Sequence, residues 1–233
     1  MEKRRDSATA YIILADGFET IEALTPLDVL RRCGVEVTTI SLNKTRAVRS
    51  SHGVTVEADA TMEEYMLKRS NAGSSSSADI SSGSTNITNA GSSTGASDTN
   101  TTASTSTNVS GTMRQALILP GGYPGYKNLC DSPEVGALIT QFHKEGKLLC
   151  AICGAPTALK ANQICRGAAI TCHTSVKEEL SDYYSILSSA VVKYMNIITG
   201  MGAGRSLDFA FAIAESLTSK EKVEEIKAKM EII

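Results

Sequence analysis

Short continuous apolar runs alternate along this chain with stretches in which apolar residues recur every three or four positions. Tyr11-Ile-Ile-Leu-Ala15 is of the first kind, as expected for a parallel strand covered on both faces. After the Asp16-Gly17 turn, Ile21, Leu24, Leu27, Val29 and Leu30 form an apolar helical stripe that ends at Cys33-Gly34. Gly34 stands where a helix takes a left-handed C′ residue. Val35 to Ser41 is a second strand, rich in β-branched residues. Strand, helix and strand predict a right-handed parallel crossover. Thr61-Met-Glu-Glu64 reads as the capping box of a short helix that runs out at Lys68-Arg69.

The pattern stops for residues 70–111 and then resumes. Ala116 to Leu119 is a strand ending in Pro120-Gly121-Gly122, and Ser132-Pro133 opens a helix through His143 to Gly146. Leu148 to Ile152 is a strand followed by Cys153-Gly-Ala-Pro156 and a helix over 157–160. Ala169 to Thr171 is a short strand that leads to His173, and Ser175 to Glu178 caps a further helix. Ile197 to Thr199 is a late strand, Leu207 to Leu217 an apolar helix, and Thr218 to Glu221 the capping box of the last one. The alternation predicts a three-layer α/β sandwich around a mostly parallel sheet. Its candidate chemistry lies where strands end, the edge at which open parallel sheets bind ligands.

Composition changes one part of this picture. The 42 residues of 70–111 hold 14 Ser, 8 Thr, 5 Asn and 5 Gly, with Ile80, Ile87 and Val109 as the only larger apolar residues. So little apolar surface cannot offset the entropy of ordering, so a disordered insertion within a single domain spanning 1–233 is expected. The remaining 191 residues are about 47% apolar, ordinary for a globular domain. A net charge of −2 gives no footprint for nucleic acid and no basic membrane patch. No apolar run approaches the roughly 18 residues of a membrane span. Six Cys without a secretion signal argue for thiols and a cytoplasmic protein.

Cys153 carries the strongest chemical signal. It follows a buried strand and precedes two small residues and a helix, the layout of a nucleophile elbow. A helix N-terminus favours thiolate. A pKa lowered by three units would raise the ionised fraction about thirtyfold, yet cost about twentyfold in nucleophilicity, so positioned partners must decide reactivity. His173 is the candidate acid–base partner, with His143 expected to be solvated. Glu22, one turn into the first helix, faces the same edge, where burial would let it carry a proton. The glycines of Gly121-Gly122 would let backbone N–H groups approach a developing oxyanion, which the Gly154 N–H could also reach. The plainer readings are a structural Cys, a helix-dipole carboxylate and a simple Pro-Gly-Gly turn. A zinc site from Cys150, Cys153, Cys172 and His173 is a further alternative, disfavoured because Cys150 lies within the strand.

Taken together, residues 15–22 (ADGFETIE), 119–122 (LPGG), 151–158 (AICGAPTA), 171–173 (TCH) and 202–210 (GAGRSLDFA) resemble the ThiJ/PfpI superfamily, and most closely its parkinsonism-associated deglycase and glyoxalase branch. The resemblance covers the chain outside 70–111. It implies a flavodoxin-like fold of the class I glutamine amidotransferase type, a homodimer, and neither metal nor organic cofactor. It further implies that Cys153 is the nucleophile and oxidation-sensitive thiol, Glu22 a protonated carboxyl bonded to it, and His173 the acid–base partner. Gly122 and Gly154 would form the oxyanion hole. Gly154 stands where protease-like members carry His, and Ser175 where the amidotransferases carry a carboxylate. Met201 replaces a basic residue of some branch members, and the dyad has no acid close in sequence. The implied activity is that of a cofactor-independent glyoxalase or deglycase acting on reactive 2-oxoaldehydes or on glycated protein and amine adducts. The rival is a redox sensor or stress chaperone working through oxidation of Cys153, with a small-molecule amidase or hydrolase third.

Overall fold

The computed structural model describes residues 8–74 and 114–232. Strand β1 (Thr9–Leu14) leads through the Asp16-Gly17 turn into α1 (Thr20–Arg32), which closes on Cys33 and on Gly34 at φ +80°. Strand β2 (Glu36–Ser41) returns parallel to β1, with Thr9 opposite Glu36. A hairpin of β3 (Ala47–Arg49) and β4 (Thr55–Glu57) follows, then β5 (Ala60–Thr61) and α2 (Met62–Ser74). Next come β6 (Gln115–Leu119), α3 (Gly125–Asp131), α4 (Pro133–Lys144), β7 (Leu148–Ile152) and α5 (Pro156–Ala161). The remainder is β8 (Ala169–Ile170), α6 (Lys177–Ser181), β9 (Ser185–Ile186), β10 (Val191–Tyr194), β11 (Ile197–Gly200), α7 (Ser206–Leu217) and α8 (Lys220–Lys229).

Seven strands form one sheet in the order β10-β11-β7-β6-β1-β2-β5, all parallel except β10. Each strand between β11 and β2 is buried on both sides, which is why these segments read as unbroken apolar runs. Ile12, Ile118, Cys150 and Ile198 point into one core with Val29 of α1 and Phe209 of α7. Ile13, Leu117, Leu119 and Leu149 point into the other with Leu138 and Phe142 of α4. The chain builds β1, β2 and β5 outward on one side, then crosses back to lay β6 on the other side of β1. That reversal makes the carboxyl ends of β1 and β6 a topological switch point, where open parallel sheets commonly bind ligands.

The three-layer α/β fold agrees with expectation, and its differences in detail have local causes. The capping box at Thr61 forms as read: its N–H donates to Glu64 Oε2 at 2.8 Å and its Oγ1 accepts from the Glu64 N–H at 3.2 Å. Its helix, however, does not stop at Lys68-Arg69 but runs to Ser74. Arg69 is held by the Tyr65 hydroxyl at 2.7 Å and Gln141 Oε1 at 2.8 Å, so that turn is anchored to α4 rather than frayed. The expected insertion over 70–111 thus begins as helix, and its part beyond Ser74 lies outside the described residues.

Two caps sit elsewhere than expected. Thr218 still belongs to the α7 ladder, its N–H and hydroxyl both donating to the Ala214 carbonyl, so Ser219 caps α8 through the Lys222 N–H at 3.2 Å. His173, not Ser175, caps the short turn before α6. The strand ending near His173 pairs with β9 in a separate two-stranded sheet. The hairpin β3–β4, helix α3 and edge strand β10 carry no apolar period that marks them in sequence.

Candidate active site

Strand β7 runs into Cys153, which adopts φ +64°, a left-handed conformation that non-glycine residues rarely take. Two backbone bonds hold it there. Its N–H donates to the Gly200 carbonyl at the end of β11 (3.0 Å), and its carbonyl accepts from the His173 N–H (2.9 Å). The elbow turns the side chain out of the strand toward Gly121 and Glu22. A Cβ on Gly121 would lie 2.6 Å from Cys153 Cβ and 2.7 Å from Glu22 Oε2, so only glycine admits this approach. Gly122 is fixed as firmly: at φ +87°, a Cβ there would stand 2.3 Å from the Glu19 nitrogen.

Glu22 comes from the first turn of α1 and is fully buried. Its Oε2 accepts the Gly121 N–H at 2.8 Å, while buried Oε1 has no geometric hydrogen-bond partner among the described residues. Burial pushes its pKa up to about 7, against the opposing pull of the Gly121 N–H and the Cys153 thiol. The Cys153 thiol is pushed up to about 12 by burial and then by the Glu22 charge, with the N–H groups of Gly122 and Gly154 acting the other way on its sulfur. This corrects the expectation that the helix N-terminus alone would favour thiolate. Helix α5 has six residues, and desolvation beside a carboxylate outweighs what its end supplies. The two groups are coupled: near neutral pH the Cys153 thiol keeps its proton and Glu22 is the group that titrates.

His173 docks through its backbone on Cys153, but its ring is exposed and makes no hydrogen bond to the thiol among the described residues. Its Nδ1 accepts the Ser175 N–H at 3.2 Å and lies 2.8 Å from the Ser175 hydroxyl. An acceptor at Nδ1 places the ring proton on Nε2 in the neutral imidazole. In sequence Ser175 reads as a helix cap and as the place of a missing carboxylate; a serine two residues after a histidine is the one local sign of this contact. The structure therefore gathers Cys153, Glu22, Gly122 and Gly154 closely, and sets His173 beside them with its orientation fixed from Ser175.

The remaining candidates fall away on geometry. Cys150 packs into the core that holds α1 and α7, and Cys172 into the one that holds α4, on opposite faces of the sheet. A zinc quartet through both cannot close, and among the described residues no cluster of three His, Cys, Asp or Glu converges. His143 is not solvated as expected: its Nδ1 is buried and its Nε2 stands 3.7 Å from Cys165 Sγ, because the last turn of α4 abuts the loop after α5. Glu19 pairs with His52 at 3.2 Å. A groove of about 720 Å³ lined by Cys130, Gly136, Lys144 and Asn162 does not include Cys153, and the site is identified by its chemistry.

The DJ-1/PfpI family profile matches residues 8–216. Protein dj-1beta of Drosophila melanogaster is 31% identical over 221 residues, covering 94% of this chain and 95% of that protein. Its crystal structure superposes with a TM-score of 0.74 at 30% identity, covering 97% of this chain and 99% of the other. The glutathione-independent glyoxalase DJR-1.2 of Caenorhabditis elegans is 38% identical over 107 residues, 46% of this chain and 56% of that protein. The match runs from the first strand into helix α7 and so includes every residue of the site. The chain belongs to the DJ-1/PfpI family.

Proposed function

We propose that this protein is a cofactor-independent glyoxalase or deglycase that uses Cys153 on 2-oxoaldehydes such as methylglyoxal, or on their early protein and amine adducts. One observation carries the reading. A buried carboxyl able to hold a proton near neutrality stands against a thiol on a nucleophile elbow, with two backbone N–H groups aimed at the sulfur. The partial likeness to a named glyoxalase supports it.

The Cys153 sulfur adds to the aldehyde carbon, and the carbonyl oxygen takes a proton to give a hemithioacetal. The N–H groups of Gly122 and Gly154 stabilise the oxyanion as it forms. Glu22 supplies and removes protons as the hydrogen on that carbon is lost and the neighbouring carbon gains one, leaving a thioester beside a new hydroxyl. Water cleaves the thioester, Cys153 regains its proton, and a hydroxy acid leaves. His173 Nε2–H lies on the solvent side of this sequence, where it exchanges protons with water and product. We also propose a cytoplasmic homodimer: all six cysteines are unpaired, and Ile21 and Leu207 leave apolar surface beside the site.

Lactate formation from methylglyoxal is the test. Wild type should produce it, Cys153→Ala should not, and Glu22→Gln should be strongly impaired. A wild-type protein without turnover sinks the proposal. The same Glu22–Cys153 contact favours a second reading, in which two peroxide molecules oxidise the thiol to a sulfinic acid with release of two waters. Selective gain of two oxygens at Cys153 in intact-mass spectra, with negligible aldehyde turnover, would make the sensor the better account.

A further inference from the structure

Two tyrosines flank the two N–H groups that face the Cys153 sulfur. Tyr123 follows Gly122 directly and is 69% exposed, with its ring at the surface. Tyr126, whose N–H donates to the Gly122 carbonyl at 2.9 Å, lays its ring on the backbone of Gly154. A Cβ at residue 154 would stand 2.6 Å from Tyr126 Cδ1, 2.7 Å from Cγ and 2.8 Å from Cε1. The glycine after the nucleophile and the tyrosine on α3 are therefore a matched pair: a side chain at 154 would displace the ring. The two rings stand 6.3 Å apart at 57°, and the Lys127 ammonium lies 5.7 Å from the Tyr126 ring centre.

A carbonyl oxygen held by both N–H groups would lie close to both residues. Tyr123 is the next residue after one donor, and Tyr126 is in contact with the other. We propose that Tyr123 and Tyr126 form a specificity surface that favours substrates bearing a planar aromatic group beside the reacting carbonyl, such as aryl 2-oxoaldehydes. Lys127 sets the charge preference. Its ammonium already sits over the Tyr126 ring and repels a second cation, so the favoured group is neutral or acidic. Methylglyoxal, with only a methyl group to offer, gains little from either ring. The inference rests on the aldehyde reading for its substrate but on geometry alone for the surface.

Two measurements keep those two apart. The first is the ratio of kcat/KM for phenylglyoxal to that for methylglyoxal. An aromatic contact of ordinary strength corresponds to about a 3- to 10-fold preference. The ratio should fall by about that factor in Tyr123→Ala and Tyr126→Leu and be kept in Tyr126→Phe. A ratio unchanged in both variants, including a parallel loss on both aldehydes, overturns the proposal. The second measurement needs no turnover. Thiol addition to a maleimide joins sulfur to carbon and leaves the thiol proton on the neighbouring carbon, so labelling can be read at Cys153 by peptide mass. The rate ratio for N-phenylmaleimide over N-methylmaleimide, divided by the same ratio for glutathione, should exceed one in wild type and drop toward one in Tyr123→Ala. If no aldehyde is turned over but this ratio behaves so, the surface stands and the aldehyde reading fails. A wild-type ratio of one overturns the surface.

Discussion

Burial keeps Glu22 protonated up to near neutrality, and that has a consequence for stability. The raised carboxyl, about 7 against 4.5 in an unperturbed chain, means the folded pair binds more protons than the unfolded chain between those values. The contribution of Glu22 to stability therefore falls as pH rises through that window and is greatest below it. The shift corresponds to about 3 kcal/mol. Urea unfolding at pH 5 and pH 8 should show Glu22→Gln gaining on wild type by up to that amount at the higher pH. An unchanged difference between the two pH values would place the charged carboxylate in a solvated site. At His173 the expectation is spectroscopic. Long-range proton–nitrogen correlation spectra should show Nδ1 as the unprotonated nitrogen in wild type, because the Ser175 N–H donates to it. The assignment should persist in Ser175→Ala, which keeps that N–H, and a protonated Nδ1 in wild type would contradict it.

At the scale of elements, the site depends on turns more than on helices or strands. Two left-handed glycines show the difference. Gly34 ends α1 at φ +80° with nothing within 4 Å of an added Cβ, so Gly34→Ala meets only backbone strain, about 1 kcal/mol. Gly122 has a similar φ, but its Cβ would overlap the backbone of Glu19, Gly17 and Phe18 within 2.5 Å. Gly122→Ala must push apart the loops after β1 and β6, at a cost of about 3 kcal/mol or more. Urea midpoints should rank the two in that order. Equal costs would mean that the loops yield freely. The two loops are one packed unit: a Cβ on Gly17 would meet Pro124 Cδ at 2.4 Å, and one on Gly125 would meet the Phe18 nitrogen at 2.6 Å.

For the whole molecule, the parallel sheet puts the site at one edge and the point where the described chain resumes, Arg114, at the other. Cys153, Glu22 and Gly122 lie at the carboxyl ends of β7, β1 and β6. Arg114, which leads into β6, sits at the amino edge, where its carbonyl accepts the Thr9 N–H at 2.9 Å. The described chain therefore re-enters the sheet, at Arg114, on the edge opposite the site. Replacing the part of the 70–111 tract that follows α2 with a few Gly and Ser residues should leave aldehyde turnover within about twofold and lower stability little, since loop-closure entropy changes slowly with length. A tenfold loss of turnover in that variant would tie the segment to the site. The glutamate–thiol pair, by contrast, spans the chain: the Glu22–Gly121 contact joins residues 99 apart.

Several features were legible in the residues themselves because they are local. A run such as Tyr11 to Ala15 has no polar face to turn to water, so it must be covered on both sides, and it is. The Thr61–Glu64 box, the Ser132-Pro133 helix start and the tight turn at Cys153 each need only neighbours in sequence. The motifs of the site carried the family with them. Tertiary structure alone decided the charge state and the fit. Whether the Cys153 proton leaves depends first on how deeply the thiol is buried and then on the Glu22 charge beside it, which no spacing encodes. The orientation of His173 comes from Ser175, and the room for the Tyr126 ring comes from the absence of a Cβ at residue 154. Local pattern sets backbone conformation and the face a side chain takes. Desolvation and steric contact depend on which groups distant in the chain the fold brings to the same few ångströms.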